Sequence, residues 1–244
     1  AGPTGSGKTT TLYAAVDELD RKQLNIMTIE DPVEYDFGGV NQIQVNRAAE
    51  ITFPSGLRAI MRLDPDIILV GEIRDNETAE TAIRAALTGH LVLSSIHAND
   101  APSALFRLAN LGVERYLIAS SVVGVVAQRL VRRVCGHCTT EVEPTIEEKV
   151  AYREAMDEEL KSYAGGMGCN FCNHTGFRGR TGVFELLVIN DASQRLFLQG
   201  ASSFELKSEA ERQGMTPMRR DGMMKVKEGI TTPAEVIRNV FALD

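Results

Sequence analysis

The hydrophobic positions give the chain two rhythms. Up to residue 97, short apolar runs alternate with segments of helical period. Residues 10–21 place Leu12, Ala15, Val16 and Leu19 at helical spacing, which predicts a helix. Residues 24–29 predict a short strand ending in Glu30-Asp31-Pro32, and residues 40–45 alternate apolar and polar positions as a half-buried strand does. Residues 53–63 predict a helix with Arg58 and Arg62 four apart on one face. The uninterrupted run Ile67–Val70 suits a strand buried on both faces of a parallel sheet. A helix over about 77–87, a buried strand over 91–96 ending at His97, and helices over 102–111 and 116–129 follow. This alternation predicts an α/β fold.

The character changes at Cys135. An acidic helical stretch (147–160) lies between two cysteine pairs. A turn rich in glycine and arginine (175–182) and a strand over 183–188 come next. Helices are expected over 192–199, 203–213, 217–227 and 233–241, with Pro217 and Pro233 in first turns and Asn190 or Asp191 and Ser202 as N-caps. The expected divisions are a core over 1–134, a four-cysteine module over 135–182 and a mainly helical domain over 183–244. No internal repeat or low-complexity segment is visible.

Composition narrows the function. The 244 residues are 43% hydrophobic and 24% charged, which excludes wholesale disorder. The formal net charge of −7, the absence of Trp and an aromatic content of 6% argue against direct nucleic-acid binding. Residues 1–11 have no apolar segment of the signal-peptide kind. The longest uncharged run, 116–128, is interrupted by Ser120, Ser121 and Gly124 and is too short for a bilayer. The expectation is a cytosolic protein that meets membranes only through partners.

Gly2-Pro3-Thr4-Gly5-Ser6-Gly7-Lys8-Thr9 is a complete G-x-x-x-x-G-K-[ST] phosphate loop, with Thr10 beside it. Its glycines let backbone N–H groups close around a polyphosphate, Lys8 adds a point charge, and Thr9 offers a hydroxyl to Mg²⁺. The helix behind the loop favours anions. Such a loop normally follows a buried strand. Only Ala1 precedes it, so the chain reads as a fragment cut on its N-terminal side. A nucleotide with Mg²⁺ is the expected ligand.

Hydrolysis needs a metal ligand and a group that orients water. The strand Ile67–Val70 leads into Gly71-Glu72, so Glu72 is assigned to the magnesium shell. Glu30 is the best candidate to act on water, with Asp31 and Glu34 as alternates. His97 stands at a carboxyl-side strand end, where α/β sheets bind ligands; sensing the γ-phosphate and a purely structural role both remain open. His90 precedes its strand and reads as structural. Arg58, Arg62 and Arg74 are candidates to stabilise phosphate charge, against plain pairing with Asp64, Asp66 or Asp75.

Cys135/Cys138 and Cys169/Cys172 form two CxxC pairs. Four thiolates around Zn²⁺ would carry a local charge of about −2, which Arg132, Arg133, Arg178 and Arg180 would offset. Reduced unmetallated thiols and a redox pair are the alternatives, and the latter lacks a thioredoxin-like context. The acidic stretch carries no assigned activity.

Taken together, these residues resemble the secretion ATPase superfamily, in particular the type II secretion and type IV pilus assembly ATPases. The phosphate loop continuing as Thr10-Thr11-Leu12-Tyr13 is similar to theirs. Thr28-Ile29-Glu30-Asp31-Pro32-Val33-Glu34-Tyr35 resembles their acidic box, and Asp64 to Asp75 their Walker B segment. Thr88-Gly89-His90 through Asp100 resembles their histidine box, and Gly176 to Leu187 the segment after their second CxxC. The resemblance implies a RecA-like ATPase core, here without its first strand, followed by a zinc module and a small helical domain. It implies ATP as the nucleotide, and a Mg-dependent homo-hexameric motor acting on an inner-membrane platform protein from the cytoplasmic side. It implies that Glu30 activates water, that Glu72 supports the metal, and that His90 is a second-tier candidate. The cysteines point to the assembly and secretion branches, because retraction ATPases generally lack the metal module. The family's N-terminal domain, which contributes arginines in trans, has no counterpart here. Two other readings remain: a DNA-uptake or other nucleic-acid motor of related fold, and a non-catalytic interaction module.

Overall fold

A computed structural model describes residues 1–241. The chain divides into two compact units. The first comprises Ala1–Gly2, Lys8–Val125 and Leu187–Arg212; the second comprises Pro3–Gly7, Val126–Leu186 and the chain from Gln213 onward.

The first unit is built on a parallel four-stranded sheet. Its strands are β1 (Ile26–Glu30), β2 (Asn41–Gln44), β3 (Ile67–Val70) and β4 (Leu91–Ser94), in the order β2-β1-β3-β4. Ile26 pairs with Ile67, and Ile67 with Leu91. All residues of β1 and β3 are buried, as the apolar runs predict. Strand period 2 puts Ile26, Thr28 and Glu30 on one face. Helix α1 (Lys8–Asp17) brings Tyr13 and Val16 into a core with Ile26, Ile67 and Leu69. Leu12 and Leu19 flank that core as their spacing suggests, whereas Ala15 is exposed. Helix α2 (Phe53–Ile60) starts on a Thr52/Ser55 capping box and packs where Gly56 admits Ile29: a Cβ on Gly56 would lie 2.7 Å from Ile29 Cδ1. Helix α3 (Asn76–Leu87) is capped by Asp75, and α4 (Ala101–Asn110) by Asp100. Helix α5 (Arg115–Ser121) meets α7 (Asp191–Leu198), whose Gln194 donates to Ala119 O; α8 (Ser203–Arg212) follows.

Two expectations fail here. Helix α2 stops at Ile60, so Arg62 shares no helical face with Arg58. The segment 116–129 is not one helix: α5 ends at Ser121, and β5 (Gly124–Val134) begins three residues later. Val122, Val123, Val125 and Val126 explain the switch, since β-branched side chains lose χ1 freedom in a helix and pack well in a strand.

In the second unit, residues 126–134 of β5 lie in a two-stranded sheet with β8 (Phe177–Val188). Most of the expected turn 175–182 is therefore strand. An antiparallel pair, β6 (Thr139–Val142) and β7 (Tyr163–Gly166), has no apolar alternation to announce it. The acidic segment forms α6 (Ile146–Met156), opened by a Thr145/Glu148 capping box. Helices α9 (Met218–Lys227) and α10 (Pro233–Val236) follow, the latter continued by a π-helical turn, Ile237–Phe241. Glu235 is buried and binds Arg132 and Arg238, each at 2.7 Å. The Arg132 guanidinium also lies 4.1 Å from the Phe177 ring centre. Arg132 thus pairs with Glu235 and lies over Phe177.

Candidate nucleotide site and metal centre

In a parallel sheet the carboxyl ends of neighbouring strands share one edge, where α/β folds place ligands. In the first unit that edge brings Glu30, at the end of β1, near Glu72, just past β3. The glycine between Val70 and Glu72 has a steric cause. A Cβ on Gly71 would lie 3.3 Å from Glu30 Cα and 3.4 Å from Ile29 O. The turn is held from β4: Ser94 Oγ donates to Val70 O and Ser95 Oγ to Gly71 O, both at 2.8 Å, and Ile73 N donates to Ser95 O.

Glu72 Oε2 lies 2.5 Å from Arg74 Nε and 3.8 Å from His97 Nε2. Burial first, then the Lys8 charge, holds the His97 pKa below its usual 6.5, while Glu72 pulls the other way. His97 is therefore mainly neutral at pH 7, the form that can both donate and accept a hydrogen bond. Lys8 Nζ donates to Gly2 O at 3.0 Å, and Gly2 N donates to Ile96 O.

Glu30 is 2% exposed, and each of its oxygens accepts at least one hydrogen bond. Tyr13 OH donates to Oε2 at 2.5 Å; Thr28 Oγ1 at 2.7 Å and Gln42 Nε2 at 3.2 Å donate to Oε1. Burial, with the Glu30 carboxylate beside it, pushes the Tyr13 hydroxyl up to about 12. The alternates Asp31 and Glu34 are exposed, and Glu34 meets this network only through its backbone N–H, which donates to Tyr13 OH. Tyr13 and Gln42 carry no sequence signal for this role, because only the packing of α1 on β1 and the pairing of β2 with β1 bring them to Glu30.

The remaining polar candidates fall elsewhere. Arg58 pairs with Glu77 at 2.6 Å on the surface, not with Asp64, Asp66 or Asp75. Asp66 accepts from Asn25 N, and Asp75 caps α3. His90 precedes β4, and its Nδ1 lies 2.8 Å from Ala85 O at the end of α3. That geometry gives it a structural contact at the amino edge of the sheet.

The loop residues Pro3–Gly7 belong to the second unit. Gly5 and Gly7 have φ of +78° and +86°, a backbone region that disfavours other residues. Gln128, on β5, donates from Nε2 to Ser6 O at 2.6 Å. It passes so close that a Cβ on Gly7 would meet that nitrogen at 2.8 Å. Gln128 was missed in the sequence; its one signal is a polar residue inside an apolar run.

The four cysteine sulfurs gather within 4.8 Å of one another. Cys135–Cys169, Cys138–Cys172 and Cys169–Cys172 are 3.9, 3.8 and 3.8 Å apart. A tetrahedron with Zn–S bonds of about 2.3 Å has edges of about 3.8 Å, so the thiol set fits such an ion. Each CxxC forms a tight turn, with Cys138 N donating to Cys135 O and Cys172 N to Cys169 O. Pairing of β6 with β7 brings the two turns together, and the chain passes Gly166 against Gly176 so closely that a Cβ on either would strike the other's backbone. Burial alone would raise the Cys172 thiol, but N–H donation from Cys169 and Gly176 pulls it down to about 6, whereas burial pushes Cys138 up to about 12. Such N–H donors favour a thiolate, the ligand form.

Comparison with known proteins agrees with this architecture. The family described as "Type II/IV secretion system protein" matches residues 1–238. The type II secretion system protein HxcR of Pseudomonas aeruginosa is 52% identical over 237 residues, covering 97% of this chain and 47% of that protein. The type IV pilus assembly ATPase TfpB of Acinetobacter baylyi is 48% identical, covering 98% and 41%. The chain thus spans about half the length of these curated relatives or somewhat less. Among solved structures, the pilus retraction motor PilT with bound ADP aligns with a TM-score of 0.70 at 28% identity, over 98% of this chain and 59% of that one. The ATPase DotB of Legionella pneumophila aligns at 0.69 with 25% identity, over 97% and 58%. With a parallel α/β sheet, a phosphate loop and a tetracysteine cluster in one chain, and with nearly its full length matched, this chain belongs to the Type II/IV secretion system protein family.

Proposed function

We propose that this chain is the ATP-hydrolysing part of a motor subunit for type IV pilus assembly or type II protein secretion. The observation that carries the reading is the placement of Glu30 and Glu72 at the carboxyl ends of adjacent parallel strands. Backbone N–H groups of Gly2–Thr9 and the Lys8 ammonium hold the phosphates of ATP, with Thr10 at the same helix start. Thr9 and Glu72 hold Mg²⁺, which offsets phosphate charge when bound. Glu30 accepts a proton from the attacking water as ATP becomes ADP and phosphate. Arg74 stabilises phosphate charge, and neutral His97 senses the γ-phosphate by hydrogen bonding. Cys135, Cys138, Cys169 and Cys172 hold a structural Zn²⁺ with no open position, and so build the module rather than catalyse. The motor works as a homo-hexamer on the cytoplasmic face of the inner membrane, docked on a platform protein. No described helix is long and apolar enough to cross a membrane, which fits attachment through partners.

The test is steady-state ATP hydrolysis by the full-length protein and its Lys8→Ala variant. Loss of turnover is expected; unchanged turnover overturns the reading. Tight, salt-sensitive DNA binding by the purified protein would instead favour a nucleic-acid motor.

A further inference from the structure

The phosphate loop opens α1 at Lys8, and the same helix carries Tyr13 one and a half turns later. Tyr13 faces the β1 residues Ile26, Thr28 and Glu30. Its ring is wedged edge-on against Tyr35 and Phe37, with centres 4.7 and 5.5 Å away. Its hydroxyl oxygen receives Glu34 N at 3.4 Å and Gln42 Nε2 at 3.5 Å, so its proton is directed at Glu30 Oε2.

A carboxylate offers about four acceptor sites, two per oxygen. On Glu30, Thr28 and Gln42 both approach Oε1, Gln42 sharing its two amide protons among Oε1, Tyr13 OH and Tyr35 O. Tyr13 fills one site of Oε2, and one is left. The oxygen with more room for a proton from water is therefore Oε2, and Tyr13 fixes its direction. We propose that Tyr13 is a positioning residue: it holds Glu30 Oε2 aimed at the attacking water and ties that aim to the helix that grips the phosphates. This rests on the reading of Glu30 as the base. It adds a residue, and a specific oxygen, that the reading did not contain.

The experiment compares wild type, Tyr13→Phe and Glu30→Gln in the full-length protein, measuring kcat, KM for ATP, nucleotide affinity and melting temperature. Phenylalanine keeps the ring against Tyr35 and Phe37 and deletes only the hydroxyl. The expected result is a fall in kcat of about 10-fold or more, with KM and nucleotide affinity within about twofold and little change in melting temperature. An unchanged kcat, with Glu30→Gln inactive, overturns the inference and leaves the base intact. A fall in kcat that tracks weaker nucleotide binding and a lower melting temperature also overturns it, because the hydroxyl is then only structural. Wild-type turnover by Glu30→Gln removes the base itself, and the inference with it.

Discussion

The carboxamide of Gln128 donates from Nε2 to the carbonyl oxygen of Ser6 at 2.6 Å, linking residues 122 positions apart. Both are buried, so the bond is sheltered from water. A loop that cradles phosphates must hold its N–H groups in place before the ligand arrives, and this bond fixes the carbonyl in its middle. Gln128→Ala is expected to lose about 1–2 kcal/mol, which weakens nucleotide binding about 5- to 30-fold. Fluorescent-nucleotide titration checks it.

Gly7→Ala is expected to be more severe. It places a Cβ at φ +86° and 2.8 Å from Gln128 Nε2. Loop strain and loss of the Gln128 bond combine, so nucleotide binding is expected to fall below detection in the same titration while the rest of the chain stays folded by circular dichroism.

Gly71→Ala tests the contact between the ends of β1 and β3. The added methyl meets backbone atoms of Ile29 and Glu30, which the sheet cannot easily move. A cost of about 1–3 kcal/mol in stability is expected, with kcat lowered more than nucleotide affinity, because Glu30 is displaced. Urea unfolding and steady-state kinetics read the two effects.

Glu235 gives a pH dependence with a definite sign. Burial works against its charge, but donation from the Arg132 side chain and backbone, with Arg238 beside it, wins and lowers its pKa below 4.5. Its contribution to stability is therefore complete above pH 4.5. It is lost as pH falls from 4.5 through the folded-state pKa, because the unfolded chain takes up the proton first. Glu235→Gln is expected to cost about 1–3 kcal/mol at pH 7, and the difference from wild type should shrink below pH 4.5. Urea unfolding between pH 3.5 and 7 measures it.

The cysteine cluster predicts one metal ion per chain. Zinc analysis of the purified protein is expected to give one equivalent, and Cys172→Ser or chelation should remove it. Because the metal links two distant turns, its loss is expected to destabilise the second unit by several kcal/mol. Gly176→Ala should act in the same direction, since its Cβ would strike the Gly166 carbonyl oxygen.

Sequence patterns located β1, β3, α3 and α4 within a residue or two, because their signals are local. An apolar run surrounded by polar residues has one way to be buried, and Asp75 and Asp100 cap the helices that follow them. The segment 116–129 has apolar residues that suit either a helix or a strand by spacing alone, and its β-branched valines from Val122 onward favour the strand that the structure shows. Strands β6 and β7 carry no alternation, since small and polar residues such as Thr139, Thr140, Gly165 and Gly166 pair there through their backbones.

The same division runs through the candidate site. The phosphate loop, Glu30, Glu72 and the four cysteines are visible in the chain itself, because their chemistry needs particular residue types at fixed spacing. Their partners are not. Tyr13, Gln42 and Gln128 are ordinary residues until folding brings them to Glu30 or Ser6, and Arg132 turns out to serve Glu235. Spacing along the chain determines which groups can react. Strand order and register determine which neighbours hold those groups, because hydrogen bonds form over about 3 Å regardless of how much sequence lies between.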